Sequence, residues 1–221
     1  MPREPRGRWR EAAARLPLIL LGIFASLSAV GAVAATQNVP DATETAPPEL
    51  FAPAAQGAVV HRSSGFSFPA RLGDMPRRKY RIFAANDVQV NYTHLGGGNN
   101  DPWLDVYVYP APRSVRLEAA EVERSLAKTF SAVPTAVQPG LPPRARGAQG
   151  RWFDGNAEGR AFTTGYVLVK RGHWYLLARG SSPKAAGPDG MIRLQAAIAG
   201  IDWRWTGKPP HASDRSPTRV H

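Results

Sequence analysis

The sequence predicts an α+β fold, an antiparallel sheet covered by two main helices. Three observations carry this. Apolar and polar residues alternate over 87–94 and 103–109. The period becomes helical over 114–133 and returns to two from 151 onward. The resulting order is strands, long helix, strands, helix. Helices therefore fall between hairpins rather than after every strand, which argues against a doubly wound parallel sheet.

The elements follow in order. Residues 59–62 and 66–69 are short strand candidates, with Pro69 ending the second or placing it at an edge. Residues 77–84, RRKYRIFA, fit either a helical turn or a strand. Over 87–94, Val88, Val90 and Tyr92 face one way and Gln89, Asn91 and Thr93 the other, as in a half-buried strand. GGGNNDP at 96–102 is a loop. Over 103–109, Leu104, Val106 and Val108 oppose Trp103, Asp105, Tyr107 and Tyr109, so both faces should be covered. The two strands should pair antiparallel across the loop.

From Ser114 the apolar residues Val115, Val122, Leu126, Phe130 and Val133 line one face of a helix. Ser114 is the expected N-cap and Pro134 the stop. Residues 134–150 read as a loop, 151–154 as a short strand and 155–159 as a turn. Residues 160–170 and 173–179 form the clearest hairpin, with Gly165 a bulge or a close approach. A second helix spans 189–199, capped by Asp189 and ended by Gly200, with Met191, Leu194 and Ile198 on one face. Ile201, Trp203 and Trp205 then alternate in a short extended end.

The N-terminus belongs to targeting rather than to the fold. Residues 1–15 carry five arginines against two glutamates, and residues 16–35 carry no charge. Ala32 and Ala34 supply a small-x-small step for cleavage. Residues 1–35 are thus expected to be a signal peptide, or else an N-terminal membrane anchor, since 20 residues reach across about 30 Å of hydrocarbon. Either way the rest of the chain is expected beyond the cytoplasmic membrane, periplasmic or anchored by residues 16–35. Residues 36–57, with four prolines, are expected to be a disordered linker, residues 58–205 a single domain, and residues 206–221 a disordered tail.

Composition narrows the functions. With 28 Lys and Arg against 17 Asp and Glu, the formal charge is +11. Without residues 1–35 it is still +8, so an anionic envelope surface would attract the protein. The absence of cysteine excludes disulfides, thiolate metal sites and cysteine nucleophiles. The five histidines, His61, His94, His173, His211 and His221, are not spaced as a ligand pair, so no metal or cofactor is expected. Gly96 to Gly98 lack the following Lys-Ser or Lys-Thr of a phosphate loop. Ser64, Ser181 and Ser182 lie outside any nucleophile elbow. Asp101, Asp105, Asp154 and Glu158 are candidates for a carboxylate pair whose separation sequence does not reveal. RRKYR at 77–81 and the arginines 144, 146, 151 and 160 would suit nucleic acid, but export separates the domain from it.

Several short motifs together resemble a known family. They are Gly65-Phe66-Ser67-Phe68-Pro69 before the basic Arg77–Arg81 stretch, Tyr92 ending a strand, and Val106-Tyr107-Val108-Tyr109-Pro110. Trp174, Arg179 and Pro183 in a hairpin strand and Trp203 after the last helix complete the set. Residues 60–205 resemble small bacterial exported proteins of the PsbP/Mog1-like fold. The resemblance implies an α/β/α sandwich, with the sheet between helical layers, and better known relatives that are non-catalytic. It carries over no functional residue.

The expected function is that of a non-enzymatic cell-envelope protein, a protein-interaction or assembly module. Its partner would be an envelope protein or an anionic envelope surface, with no nucleic acid and with oligomeric state open. The candidate interaction patch is Arg77, Arg78, Lys79, Tyr80, Arg81 and Trp103. The alternatives are a small-ligand or lipid binding module, which needs an apolar cavity between sheet and helix, and a hydrolase, which needs a nucleophile beside a base in a cleft.

Overall fold

The computed structural model describes residues 44–94, 100–136, 138 and 140–208. The expected signal or anchor (1–35), the start of the linker and residues 209–221 lie outside the described residues. Eleven strands and two α-helices occur among those described: β1 (Phe51–Pro53), β2 (Val59–His61), β3 (Ser67–Phe68), β4 (Arg71–Leu72), β5 (Met75–Ala84), β6 (Asp87–Thr93), β7 (Trp103–Pro110), α1 (Val115–Phe130), β8 (Val133–Pro134), β9 (Gln149–Ala157), β10 (Arg160–Arg171), β11 (Trp174–Pro183) and α2 (Gly187–Ala199).

One sheet has the order β4-β5-β6-β7-β11-β10-β9-β8, and every neighbouring pair is antiparallel. A smaller sheet, β1-β2-β3, stands beside it. The central β7–β11 pairing runs from Trp103↔Ser181 to Trp174↔Pro110 and joins the two halves of the chain, with α1 in the crossover. The two faces bury separate cores. Val88, Val90, Leu104, Val106, Leu176 and Ala178 pack with Leu194, Ala197 and Ile198 of α2, with Phe51 and Phe68 of the small sheet and with Phe66 just before β3. On the other face Phe153, Phe162, Tyr166, Leu168 and Leu177 pack with Val122, Leu126 and Phe130 of α1. The fold is thus an α+β sandwich with one helix on each face, consistent with the PsbP/Mog1-like sandwich expected from the sequence.

Several elements differ from expectation for identifiable reasons. Residues 44–57, expected as linker, belong to the fold: Phe51 is buried, and β1 pairs with β2. One buried aromatic outweighs the local proline content. Residues 206–208, expected as tail, also dock: Lys208 N–H donates to Ser64 O (2.8 Å), and Trp174 Nε1 donates to Lys208 O (2.6 Å). The ambiguous 77–84 stretch is strand, part of β5. α1 stops at Ser131, which adopts φ 48°, ψ 41°, before Pro134 is reached. α2 starts at Gly187, so Asp189 lies in its first turn rather than capping it.

Two glycines set how β9 and β10 pack, Gly155 against expectation and Gly165 as one of the two roles expected of it. Gly155 lies within β9, and the turn falls later, at Glu158-Gly159 with φ 52° and 74°. A Cβ at Gly155 would lie 2.5 Å from Phe130 O, so its glycine admits the C-terminal end of α1. Gly165 is a close approach and not a bulge: the β10 register runs unbroken through it, and a Cβ there would strike the Trp152 ring at 2.5 Å.

Candidate functional site

The six residues of the expected patch do not form one surface. In an antiparallel ladder, paired residues share a face. Arg77 pairs with Tyr92 and Tyr80 with Val90, on the α2 face. Arg77 is 9% exposed, and its guanidinium donates to Phe68 O (2.8 Å) and Gly57 O (3.0 Å) while lying over the Tyr80 ring (5.7 Å). Tyr80 is buried against Phe51 at 5.1 Å, and desolvation raises its pKa. These two hold β5 to the small sheet. Arg78 falls in the irregularity between Arg77 and Lys79, and its carbonyl accepts from Glu44 N–H at 2.9 Å.

Lys79 pairs with Asn91, and Arg81 with Gln89, on the α1 face. Trp103 shares that face and packs edge-on against Phe162 at 5.5 Å. Lys79, Arg81 and Trp103 therefore share one face of the sheet, with β6 between the two cations and Trp103, and both cations are exposed. α1 packs chiefly on β9 and β10, so the β5–β7 part of this face is filled by polar side chains. Gln89 Nε2 and Asn91 Nδ2 both donate to Asp105 Oδ1, at 2.7 and 2.9 Å. Burial pushes the Asp105 carboxyl up, opposed by those two hydrogen bonds and by the charges of Arg179 and Arg81. Among the described residues nothing hydrogen-bonds to the buried Gln89 Oε1. Burial also raises Tyr107.

The end of β5 is a feature that pattern reading missed. Ile82 and Phe83, consecutive in the chain, are 38% and 39% exposed. β4 pairs with β5 at Met75 and Pro76, and Arg77 N–H donates to Ala70 O just before β4 (2.8 Å). Farther along the outer edge, Glu44 takes the place of a strand: its N–H donates to Arg78 O, and Tyr80 N–H donates to its Oε2 at 3.0 Å. Glu44 lay in the expected linker, so its edge role carried no periodic signal. The hairpin tip beyond is anchored from within. Ala85 O accepts from His61 Nε2 (3.0 Å) and Ser63 Oγ (3.3 Å). The His61 ring is buried against Phe51 (5.6 Å) and Trp174 (6.2 Å).

The chemistry weighed as alternatives is also located. His61 Nδ1 and Ser64 Oγ are 2.9 Å apart, a serine–imidazole pair within hydrogen-bond reach. Both residues are 0% exposed, and Ser64 Oγ also accepts from Phe66 N–H, so the pair braces a turn and is sealed from solvent. Asp154 is engaged by Lys184 (2.6 Å) and Thr163 (3.0 Å), which lower its pKa, so it is a structural anion. Among the described residues no group of three or more His, Asp or Glu could hold a metal ion. A recess of about 300 Å³ lies between Thr163, Ser182 and the first turn of α2, at the lower limit for a small-molecule site. Among the described residues no helix is long and apolar enough to cross a membrane.

No family model and no curated protein sequence matches the chain. Among solved structures, it is similar to LpqN, described as involved in cell envelope biogenesis of Mycobacterium tuberculosis, at 16% identity. The match covers 62% of this chain and 79% of that one with a TM-score of 0.39, too slight a likeness to argue from.

Proposed function

We propose that the chain is an exported cell-envelope protein whose α+β domain acts as a non-enzymatic protein-interaction or assembly module. The observation that carries this is the outer end of β5, where the exposed cations Lys79 and Arg81 on one face and the exposed apolar Ile82 on the other meet along one edge, next to exposed Phe83 in a hairpin anchored at Ala85. Adjacent charge and apolar surface on a fixed element suits protein recognition. The uncharged 16–35 segment behind five arginines supports delivery beyond the cytoplasmic membrane. The sealed Ser64–His61 pair lends a hydrolase no support.

Two measurements test the proposal. Fractionation of cells carrying the full chain should place it in the envelope, and recovery as a soluble cytosolic protein contradicts export. Cosedimentation with envelope preparations should fall in a Lys79→Glu/Arg81→Glu variant of unchanged thermal stability; retention equal to wild type contradicts the surface assignment.

A further inference from the structure

The hydrogen-bond directions along β5 define a docking edge. Tyr80 N–H and Arg78 O point outward, because both engage Glu44. In an antiparallel ladder this outward sense alternates with pairing to the neighbour. Arg81, opposite Gln89, therefore turns its backbone groups toward β6, and Ile82, opposite Val88, turns its N–H and C=O outward. Among the described residues no backbone group pairs with Ile82 on that side. Two outward groups, flanked by exposed cations and exposed apolar side chains, continue directly from the place where Glu44 already docks.

We propose that the outer edge of β5 from Tyr80 to Ala84 binds an extended acidic–apolar peptide segment of a partner protein by strand addition. Glu44 provides the precedent within the molecule. An extended residue with a carboxylate already satisfies this edge, giving its N–H to Arg78 O and taking Tyr80 N–H on its side chain. The incoming segment donates to Ile82 O and accepts from Ile82 N–H, as strand addition requires. Its acidic residues meet Lys79 and Arg81, and its apolar residues meet Ile82 and Phe83. Exposed edges are usually blunted by charge, bulges or cover. Here a bulge between Ile82 and Ala84 and the nearby cations disfavour edge-to-edge pairing of two copies, whose like charges would meet, and favour an acidic strand. The His61–Ala85 anchor fixes the hairpin before binding, which lowers the ordering cost.

This inference rests on the interaction-module proposal and names its partner class. The test titrates full-length protein in detergent micelles against a labelled synthetic hexapeptide alternating glutamate with valine. Saturable binding is expected. N-methylation of the alternate peptide amides should weaken it by about tenfold or more, as loss of a main-chain hydrogen bond implies. Ile82→Pro, which deletes the outward N–H at an edge position that tolerates proline, should do the same with circular dichroism unchanged. Ile82→Ala keeps the N–H and should bind better than Ile82→Pro. No saturable binding, equal binding of the methylated peptide, equal binding of a lysine–valine peptide, or dimers in sedimentation that Ile82→Pro dissolves would each overturn strand addition. If the peptide fails while Lys79→Glu/Arg81→Glu still strips the protein from envelope preparations, strand addition falls and the interaction-module proposal stands. If that charge reversal also changes nothing, the module proposal falls with it.

Discussion

The two ends of the eight-stranded sheet solve the same problem differently. At one end β9 would present an open edge, but short pieces cover it in sequence. β8 pairs with Phe153 and Asp154, and Thr135 N–H donates to Trp152 O at 3.0 Å. The Gln138 carboxamide then takes Trp152 N–H at 2.7 Å and gives to Trp152 O at 3.0 Å, doing with one side chain what a strand does with its backbone. Leu141 crowds Gly150, and Phe130 crowds Gly155. At the other end, Glu44 performs the same substitution at Arg78 and Tyr80, and cover among the described residues stops before Ile82. The difference separates a sealed edge, built for stability, from one left available beside exposed apolar groups.

Substitutions should divide along this line. Gly155→Ala forces a methyl against Phe130 O and should cost about 1–3 kcal/mol in urea unfolding, because neither backbone can yield easily. An unchanged midpoint would mean the α1 end is loosely seated. Gln138→Ala leaves both Trp152 groups without this partner and should cost about 1–2 kcal/mol. Glu44→Ala on the opposite edge should cost about 1 kcal/mol, through Tyr80 N–H. If it costs more than Gln138→Ala, the distinction between the edges weakens.

A smaller, pH-dependent effect belongs to the open end. Asp87, paired with Ala84 at the hairpin end, has its pKa raised by desolvation, and by the charge of Glu118, from 3.8 to about 6. A raised carboxyl binds its proton more tightly in the folded state. Its stabilisation is complete below 3.8 and is lost as pH rises through 6. Asp87→Asn should therefore stabilise relative to wild type more at pH 7 than at pH 5; equal differences at both pH values would contradict the burial of this charge. Phe83→Ser, at an exposed position, should change stability least, within about 0.5 kcal/mol, when thermal midpoints are compared.

Much of the fold was legible because its strands and helices obey simple periods. Val88, Val90 and Tyr92 alternate as half-buried strand residues should, and Ser114 caps α1, accepting Leu117 N–H at 3.4 Å. What periodicity hides is contact distant in sequence. Gly155 resembled a turn residue because the helix end that requires it comes 25 residues earlier. Phe51 and Glu44 sat among prolines that read as linker, yet one fills the core and the other caps an edge. The patch was legible as a basic run, but a bulge between Arg77 and Lys79 decides which cations point outward, and no residue pattern announces it.

Amide hydrogen exchange, followed residue by residue by NMR with and without the glutamate–valine peptide, tests the central contrast between the edges directly. Trp152 N–H should exchange slowly in both states. Ile82 N–H should exchange rapidly in the free protein and become protected when the peptide is added. An Ile82 amide that is already protected without peptide, or that stays unprotected at saturation, would contradict the account.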